Sequence, residues 1–132
     1  MLTLGIDPGT AITGYGLVRA GGGRLELVEC GVIRTPADES LPRRLHTLYL
    51  ALTDLIDTHH PAESAVEELF FARNARTALA VGQARGVVLL ALTAAGLPVY
   101  EYTPLQVKQA ITSYGRAPKS QVQGMVKVLL GL

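Results

Sequence analysis

The chain opens on alternating apolar and polar positions and continues with longer, helical repeats. Apolar residues occupy every second position of 2–6, a period of two that is typical of a β-strand, and Pro8-Gly9 marks a turn directly after Asp7. Two further strands are predicted at 14–20 and 25–35, with a triple glycine between them as a hairpin turn. The first 35 residues are therefore predicted to form a three-stranded antiparallel meander.

Helical spacing begins after the meander. Leucine and isoleucine residues of 40–60 recur at steps of three and four, with Ser40 placed to cap the helix and Pro42 in its first turn. The remaining elements are predicted in the order strand 63–69, helix 75–95, strand 97–102, helix 103–112 and helix 119–130. This order predicts an α/β protein in which the meander and two parallel strands form a five-stranded mixed sheet, with helices on both faces.

Composition narrows the class of protein. A length of 132 residues, of which 48% are hydrophobic, suits a single domain over 1–132 with one packed core. The first residues lack a signal-peptide pattern, and the longest apolar run, 87–95, is shorter than the roughly 20 residues of a membrane helix. Cys30 is the only cysteine, which excludes an internal disulfide and a cysteine-rich zinc site. We therefore expect a cytoplasmic protein without a membrane segment.

Charge is distributed unevenly between the two halves of the chain. Residues 1–68 contain ten acidic and five basic residues, a balance of −5, whereas 69–132 contain one acidic and seven basic residues, a balance of +6. A basic half is typical of proteins that bind a polyanion such as nucleic acid, but it is equally typical of a solvated basic face. The charge pattern alone leaves both interpretations open.

Two carboxylates follow strands that the topology is expected to place side by side. A helical crossover would bring strand 63–69 parallel to the first strand, so that Asp7 and Glu67 face each other at one edge of the sheet, with Glu68 on the opposite face. Ligands of open sheets bind outside the carboxyl ends of strands, and paired carboxylates there suit a hard cation such as Mg²⁺. The alternative is that Asp7 only caps its turn and Glu67 is an ordinary exposed strand residue.

Five segments of the chain together resemble one family. GIDPGT at 5–10, GYG at 14–16, VEELFFARNARTALAVGQARG at 66–86, YEYTPLQVKQ at 100–109 and KSQVQGMV at 119–126 are similar to the RuvC family of Holliday-junction resolvases, in order along nearly the whole chain. The resemblance implies a ribonuclease H-like fold and a homodimer that resolves four-way DNA junctions by symmetric nicks. It also implies two Mg²⁺ ions, replaceable by Mn²⁺, held by an acidic cluster whose first two members match Asp7 and Glu67.

The candidate DNA-binding residues come from the basic half. Phe70 directly follows the second acidic strand, where an aromatic side chain can stack on an unpaired base, and the resemblance assigns it a wedge at the junction centre. Lys119 opens a helix against the helix dipole, which favours a phosphate partner, and the resemblance places Lys119 and Lys108 near the scissile phosphate. The other candidates are Arg73, Asn74, Arg76 and Ser120. His46, His59 and His60 are expected to be solvent-exposed and without a catalytic role.

The resemblance also implies acidic residues that the chain lacks. The family's remaining metal ligands lie on a last helix, whereas the only acidic residue after Glu68 is Glu101. We expect a nuclease domain that lacks this C-terminal acidic helix and is inactive if the lost ligands are essential. The alternative is a natural module that binds junctions without cutting them. The family further implies cooperation with the branch-migration proteins RuvA and RuvB.

Two other classes of function deserve comparison. GIDPGT also resembles the phosphate-binding turn of sugar kinases and actin-like ATPases, but those proteins need two such domains, and this chain has one turn of that kind. A structural subunit that dimerises through the strip of Gly82 and Gly86 would have no salt-dependent affinity for DNA.

Overall fold

A computed structural model of the chain describes residues 1–68 and 75–132. The described elements are strands β1 (Leu2–Asp7), β2 (Ile12–Gly21) and β3 (Arg24–Arg34), helix α1 (Leu41–His59), strand β4 (Glu63–Glu67), helix α2 (Ala75–Ala94), strand β5 (Val99–Tyr102) and helices α3 (Pro104–Thr112) and α4 (Lys119–Leu130). Their order and type confirm the sequence prediction, and most bounds agree to within two residues. Position 69 of the predicted fourth strand lies outside the described residues.

The five strands form one mixed sheet in the order β3-β2-β1-β4-β5. The pairs β1/β2 and β2/β3 are antiparallel, as expected for a meander, and β2 pairs with β3 over its whole length. The pairs β1/β4 and β4/β5 are parallel. Helix α1 connects β3, which runs parallel to β1, to β4, and helix α2 connects β4 to β5. The crossover through α1 brings the carboxyl ends of β1 and β4 to the same edge of the sheet.

The core lies between one face of the sheet and helices α1 and α2. Its fully buried side chains come from both layers: Leu4, Leu17, Leu52, Val66, Ala84, Val88 and Leu92 are all 0% exposed. Helices α3 and α4 lie at the other face, where Val107 and Val126 line a groove with sheet residues, and neither helix contains a buried residue. Helices therefore cover both faces as predicted, but only one face has a dense core.

Helix α2 is apolar on two sides. Its buried residues Ala84 and Val88 face the core, whereas Leu79 and Leu90 on the opposite side are 64% and 62% exposed. By length and composition alone α2 could cross a membrane, although the sequence shows no uninterrupted apolar run of that length. The buried face belongs to the core of the domain, whereas the apolar residues of the other face remain exposed.

Two local expectations are wrong. Ser40 is the N-cap residue of α1, but its side chain makes no capping hydrogen bond, so α1 begins without that stabilisation. His59 is not solvent-exposed: its side chain is 19% exposed and its Nε2 lies 3.6 Å from Glu29 Oε2. His46 and His60 are exposed as expected. The sequence does not reveal the His59 contact, because the contact depends on how the end of α1 meets the distant strand β3.

Candidate active site

The two predicted carboxylates lie at the shared edge of β1 and β4. Ile6 pairs with Val66 in the parallel ladder, and the next residue on each strand is Asp7 or Glu67. Both line a groove of about 570 Å³ on the face of the sheet opposite the dense core. Asp7 is exposed and Glu67 is half-buried, so the pair is open to solvent from the groove side.

The surroundings of Glu67 make its carboxyl group harder to ionise than that of an ordinary glutamate. Burial raises the pKa of the Glu67 carboxyl above its ordinary value, and the charge of Asp7 and a hydrogen bond with Asp7 raise it further. The charge of Lys108, on α3, acts in the opposite direction. Two carboxylates that repel each other at a groove are an oxygen donor set that fits a hard divalent cation. Within 1–68 and 75–132, however, no group of three or more acidic, histidine or cysteine side chains could hold a metal ion.

The turn after Asp7 has a fixed shape. Thr13, which is 1% exposed, donates its hydroxyl proton to the carbonyl oxygen of Gly9 at 2.8 Å and accepts from the Gly9 N–H at 3.2 Å. A side chain at Gly9 would run into the carbonyl oxygen of Ile12, so glycine is required there. The sequence signal for this turn was Pro8-Gly9, but the part of Thr13 was not predicted.

The other two acidic residues of this region belong to a separate cluster. Glu68 lines a small cavity with Gly82, Arg85 and Glu101, on the α2 side of the sheet, which confirms that Glu67 and Glu68 lie on opposite sides. The guanidinium of Arg85 donates to the carboxylate of Glu101. Glu101 is therefore neutralised by Arg85 and does not add a third carboxylate to the Asp7 and Glu67 pair.

The predicted DNA-binding residues are placed differently with respect to the pair. Lys108 is half-buried and close enough to influence Glu67. Lys119 and Ser120 are exposed in the first turn of α4, and Arg76 is exposed in the first turn of α2. Neither Lys119 nor Arg76 forms an ion pair with a described residue. Phe70, Arg73 and Asn74 lie outside the described residues. Tyr102, which pairs with Glu67 in the β4/β5 ladder and lines the same groove, was not predicted as a site residue.

The strand order and the position of the acidic pair define a class of protein. A three-stranded meander joined by crossovers to two parallel strands, with acidic residues where β1 and β4 end, is the arrangement of a ribonuclease H-like domain.

A sequence model of the family described as crossover junction endodeoxyribonuclease RuvC matches residues 3–132. A relative with that name from Moorella thermoacetica is 61% identical over 132 residues, which are 100% of this chain and 79% of the relative. The chain belongs to the RuvC family. It is thus a metal-dependent endodeoxyribonuclease, a hydrolase that acts on DNA.

Solved structures agree with this assignment. The Thermus thermophilus RuvC in complex with a Holliday junction substrate has a TM-score of 0.93 and 39% identity, and the match covers 100% of this chain and 81% of that one. The yeast mitochondrial Holliday junction resolvase Ydc2 has a TM-score of 0.72 at 13% identity, covering 97% of this chain and 64% of Ydc2, which supports the fold alone. The ribonuclease H-like fold is confirmed.

Proposed function

We propose that Asp7 and Glu67 are the catalytic and metal-binding residues with which this protein, a Holliday junction resolving endonuclease, cuts four-way DNA junctions. The observation that carries the proposal is the close pair of carboxylates at the edge of β1 and β4, in a chain that belongs to a family of junction endonucleases. Each carboxylate supplies negative charge and oxygen ligands at the open end of the groove. The non-cleaving junction-binding module is the less favoured alternative, because it leaves the costly approach of these two charges without a use.

The metal is proposed to be Mg²⁺, two ions per site, with Mn²⁺ as a substitute. Bound there, the ions would activate the attacking water and stabilise the leaving 3′ oxygen. The protein's own part is to place the carboxyl groups of Asp7 and Glu67 side by side at the groove, where they would hold the ions. Because two carboxylates fill only part of the coordination sphere of two hard ions, water, phosphate oxygens and further acidic groups would complete it.

DNA contacts are proposed on the groove side and at nearby helix starts. Lys108 is the best-supported contact, because its charge acts on Glu67, and a phosphate attracted by cations at the acidic pair would meet the lysine. Lys119 and Ser120 are exposed at the N-terminus of α4, where backbone N–H groups favour an anion. Arg76, in the first turn of α2, is a further proposed contact. Arg73, Asn74 and Phe70 lie outside the described residues and are kept as proposed contacts from the sequence, with Phe70 stacking on a base at the junction centre.

A homodimer is proposed because a four-way junction offers two equivalent strands to cut. The exposed side of α2 supports it: positions 79, 82, 86 and 90 fall on one stripe, with large exposed leucines at its ends and two glycines between them. A helix that is apolar on both sides is typical of burial on both sides. Cooperation with RuvA and RuvB, in the cytoplasm, belongs to the same proposal.

The test is a paired assay on a synthetic four-way junction, with binding measured by gel shift and nicking measured in Mg²⁺. We expect Asp7→Asn to lose at least about a hundredfold in nicking rate, since even an outer-shell partner of a metal ligand costs 10–100-fold. Binding of the junction without metal should be unchanged, because the protein's contacts with the DNA phosphates do not involve the carboxylate of Asp7. Unchanged nicking by Asp7→Asn would overturn the assignment.

A further inference from the structure

The turn that follows Asp7 is held from β3 as well as from β2. The Thr35 hydroxyl, directly after β3, donates to the carbonyl oxygen of Thr10 at 2.6 Å. The backbone N–H of Thr35 donates to the carbonyl oxygen of Ala11 at 3.0 Å. Thr35 is 7% exposed, so these bonds are sheltered from water. One buried threonine therefore joins the end of β3 to the turn that directly follows Asp7.

A charged side chain from α1 completes this link. The Arg44 Nε donates to the Thr35 hydroxyl oxygen at 3.0 Å. A hydroxyl has a single proton, and that proton is directed to Thr10, so the lone pair that faces Arg44 must accept. Arginine stays protonated and can only donate. Arg44 therefore always donates to Thr35, and Thr35 donates to the carbonyl oxygen of Thr10.

The position of Arg44 needs such an explanation. It lies in the first turn of α1, where a cation opposes the helix dipole, and that turn contains no acidic residue. Among the described residues Arg44 forms no ion pair, whereas Arg85, for comparison, is paired with Glu101. Arg44 donates instead to the buried hydroxyl of Thr35, which in turn bonds to the turn. Arg44 therefore supports the turn through Thr35.

We infer that Arg44 is a positioning residue for Asp7, acting through Thr35. The inference rests on the proposed function of Asp7 as a metal ligand and deepens it. Arg44 and Thr35 fix the carbonyl of Thr10, and with Thr13 they leave the turn one conformation, in which the Asp7 carboxylate is aimed into the groove. Without Arg44 the turn relaxes and the site binds metal less well, while the surface that binds junction DNA is unchanged.

The test compares Arg44→Met and Thr35→Val with Arg43→Met, which changes a neighbouring exposed arginine whose side chain forms no hydrogen bond or ion pair with a described residue. In the metal-free protein, the amide NMR signals of Gly9, Thr10 and Ala11 should shift in the first two variants and stay in place in Arg43→Met. The Mn²⁺ concentration for half-maximal nicking should rise about tenfold in the first two variants and remain unchanged in the control. Thr35→Ser, which keeps the hydroxyl, should behave like the wild type.

Two outcomes would overturn the inference. Unmoved turn signals in Arg44→Met would show that the turn does not depend on Arg44, even if Thr35→Val fails to fold. Weaker metal-free junction binding in Arg44→Met, but not in Thr35→Val, would instead make Arg44 a DNA contact. The NMR measurement does not depend on nicking. A wild type without metal-dependent nicking would therefore refute the proposed function, while the NMR signals would still show whether Arg44 holds the turn through Thr35.

Discussion

Asp7 and Glu67 place two carboxyl groups side by side, where the charge of Asp7 raises the pKa of Glu67 and, among the described residues, the charge of Lys108 lowers it. Such a pair costs stability in the folded chain and is useful only when a cation is present. The pair could be predicted from sequence, because each residue ends a strand and the crossover rule makes the strands neighbours. The hydrogen bonds from Arg44 through Thr35 to the turn could not be predicted, because they depend on how α1 packs against the end of β3.

Removing one charge of the pair should stabilise the metal-free protein. The pKa of Glu67 is raised in the folded state, so the folded state binds more protons than the unfolded one and loses stability as pH rises through that window. We expect Asp7→Asn to have a higher Tm than the wild type at neutral pH. The difference in Tm should shrink as the pH falls toward 4.5, the ordinary pKa of a glutamate. Because the pKa of Glu67 is raised above that value, Glu67 binds a proton over this range and no longer repels Asp7.

Calorimetry at both pH values in a chelating buffer would measure this, and addition of Mg²⁺ should raise the Tm of the wild type more than that of the variant. A Tm gain that is equal at both pH values would contradict the electrostatic explanation.

Lys119 and Lys127 form a matched pair of exposed lysines near opposite ends of α4. If Lys119 neutralises a phosphate, Lys119→Ala should weaken junction binding and reduce the slope of log affinity against log salt by about one. Lys127→Ala should leave the slope unchanged, because its charge lies at the end of the helix that repels anions. Gel-shift titrations over a series of salt concentrations would measure both, and equal slopes for the two variants would remove Lys119 from the DNA surface.

At the scale of elements, the periods of two and of three to four were sufficient to order all the described strands and helices. They were sufficient because each strand or helix has at least one buried side or a clear turn at its end, as the alternation of 2–6 and the Pro8-Gly9 turn illustrate. Capping was less predictable: Ser40 makes no capping bond, whereas Thr103 and Gln106 form a full capping box at α3. In α2 apolar residues surround the helix, and the sequence did not distinguish the side that meets the core from the side that remains exposed.

A buried leucine of α2 and an exposed leucine of α1 should respond differently to replacement by alanine. Leu92→Ala removes a fully buried side chain from α2 and should cost about 2–5 kcal/mol in the free energy of unfolding. Leu50→Ala, at a position of α1 that is 53% exposed, should cost well under 1 kcal/mol, about the size of an ordinary surface change. Urea unfolding would measure the loss of unfolding free energy in both variants, and unchanged m values would show that the two curves can be compared. A similar cost for the two variants would mean that the core is not where the structure places it.

At the scale of the whole molecule, the domain has one dense core and two surfaces that are less complete on their own. One is the groove beside the acidic pair, which suits the proposed metal and DNA. The other is the exposed stripe of α2, on the opposite layer of the domain, which suits the proposed second copy of the chain. Neither surface follows from composition, because the apolar fraction of the chain is the same whether a leucine faces its own core or a partner.

The α2 stripe allows the homodimer to be tested directly. Leu90→Glu places a charge at one end of the apolar stripe, where burial without a partner is costly, and should convert the proposed dimer to a monomer. Leu129→Glu, which also replaces an exposed leucine but on α4 across the sheet, should leave the dimer intact. Light scattering coupled to size exclusion would measure the mass of each variant. The monomeric variant should also lose the paired, symmetric nicks on a four-way junction, because the second cut needs the second subunit. If Leu90→Glu remains a dimer and Leu129→Glu does not, the interface lies on the α4 side, and the exposed face of α2 has another partner.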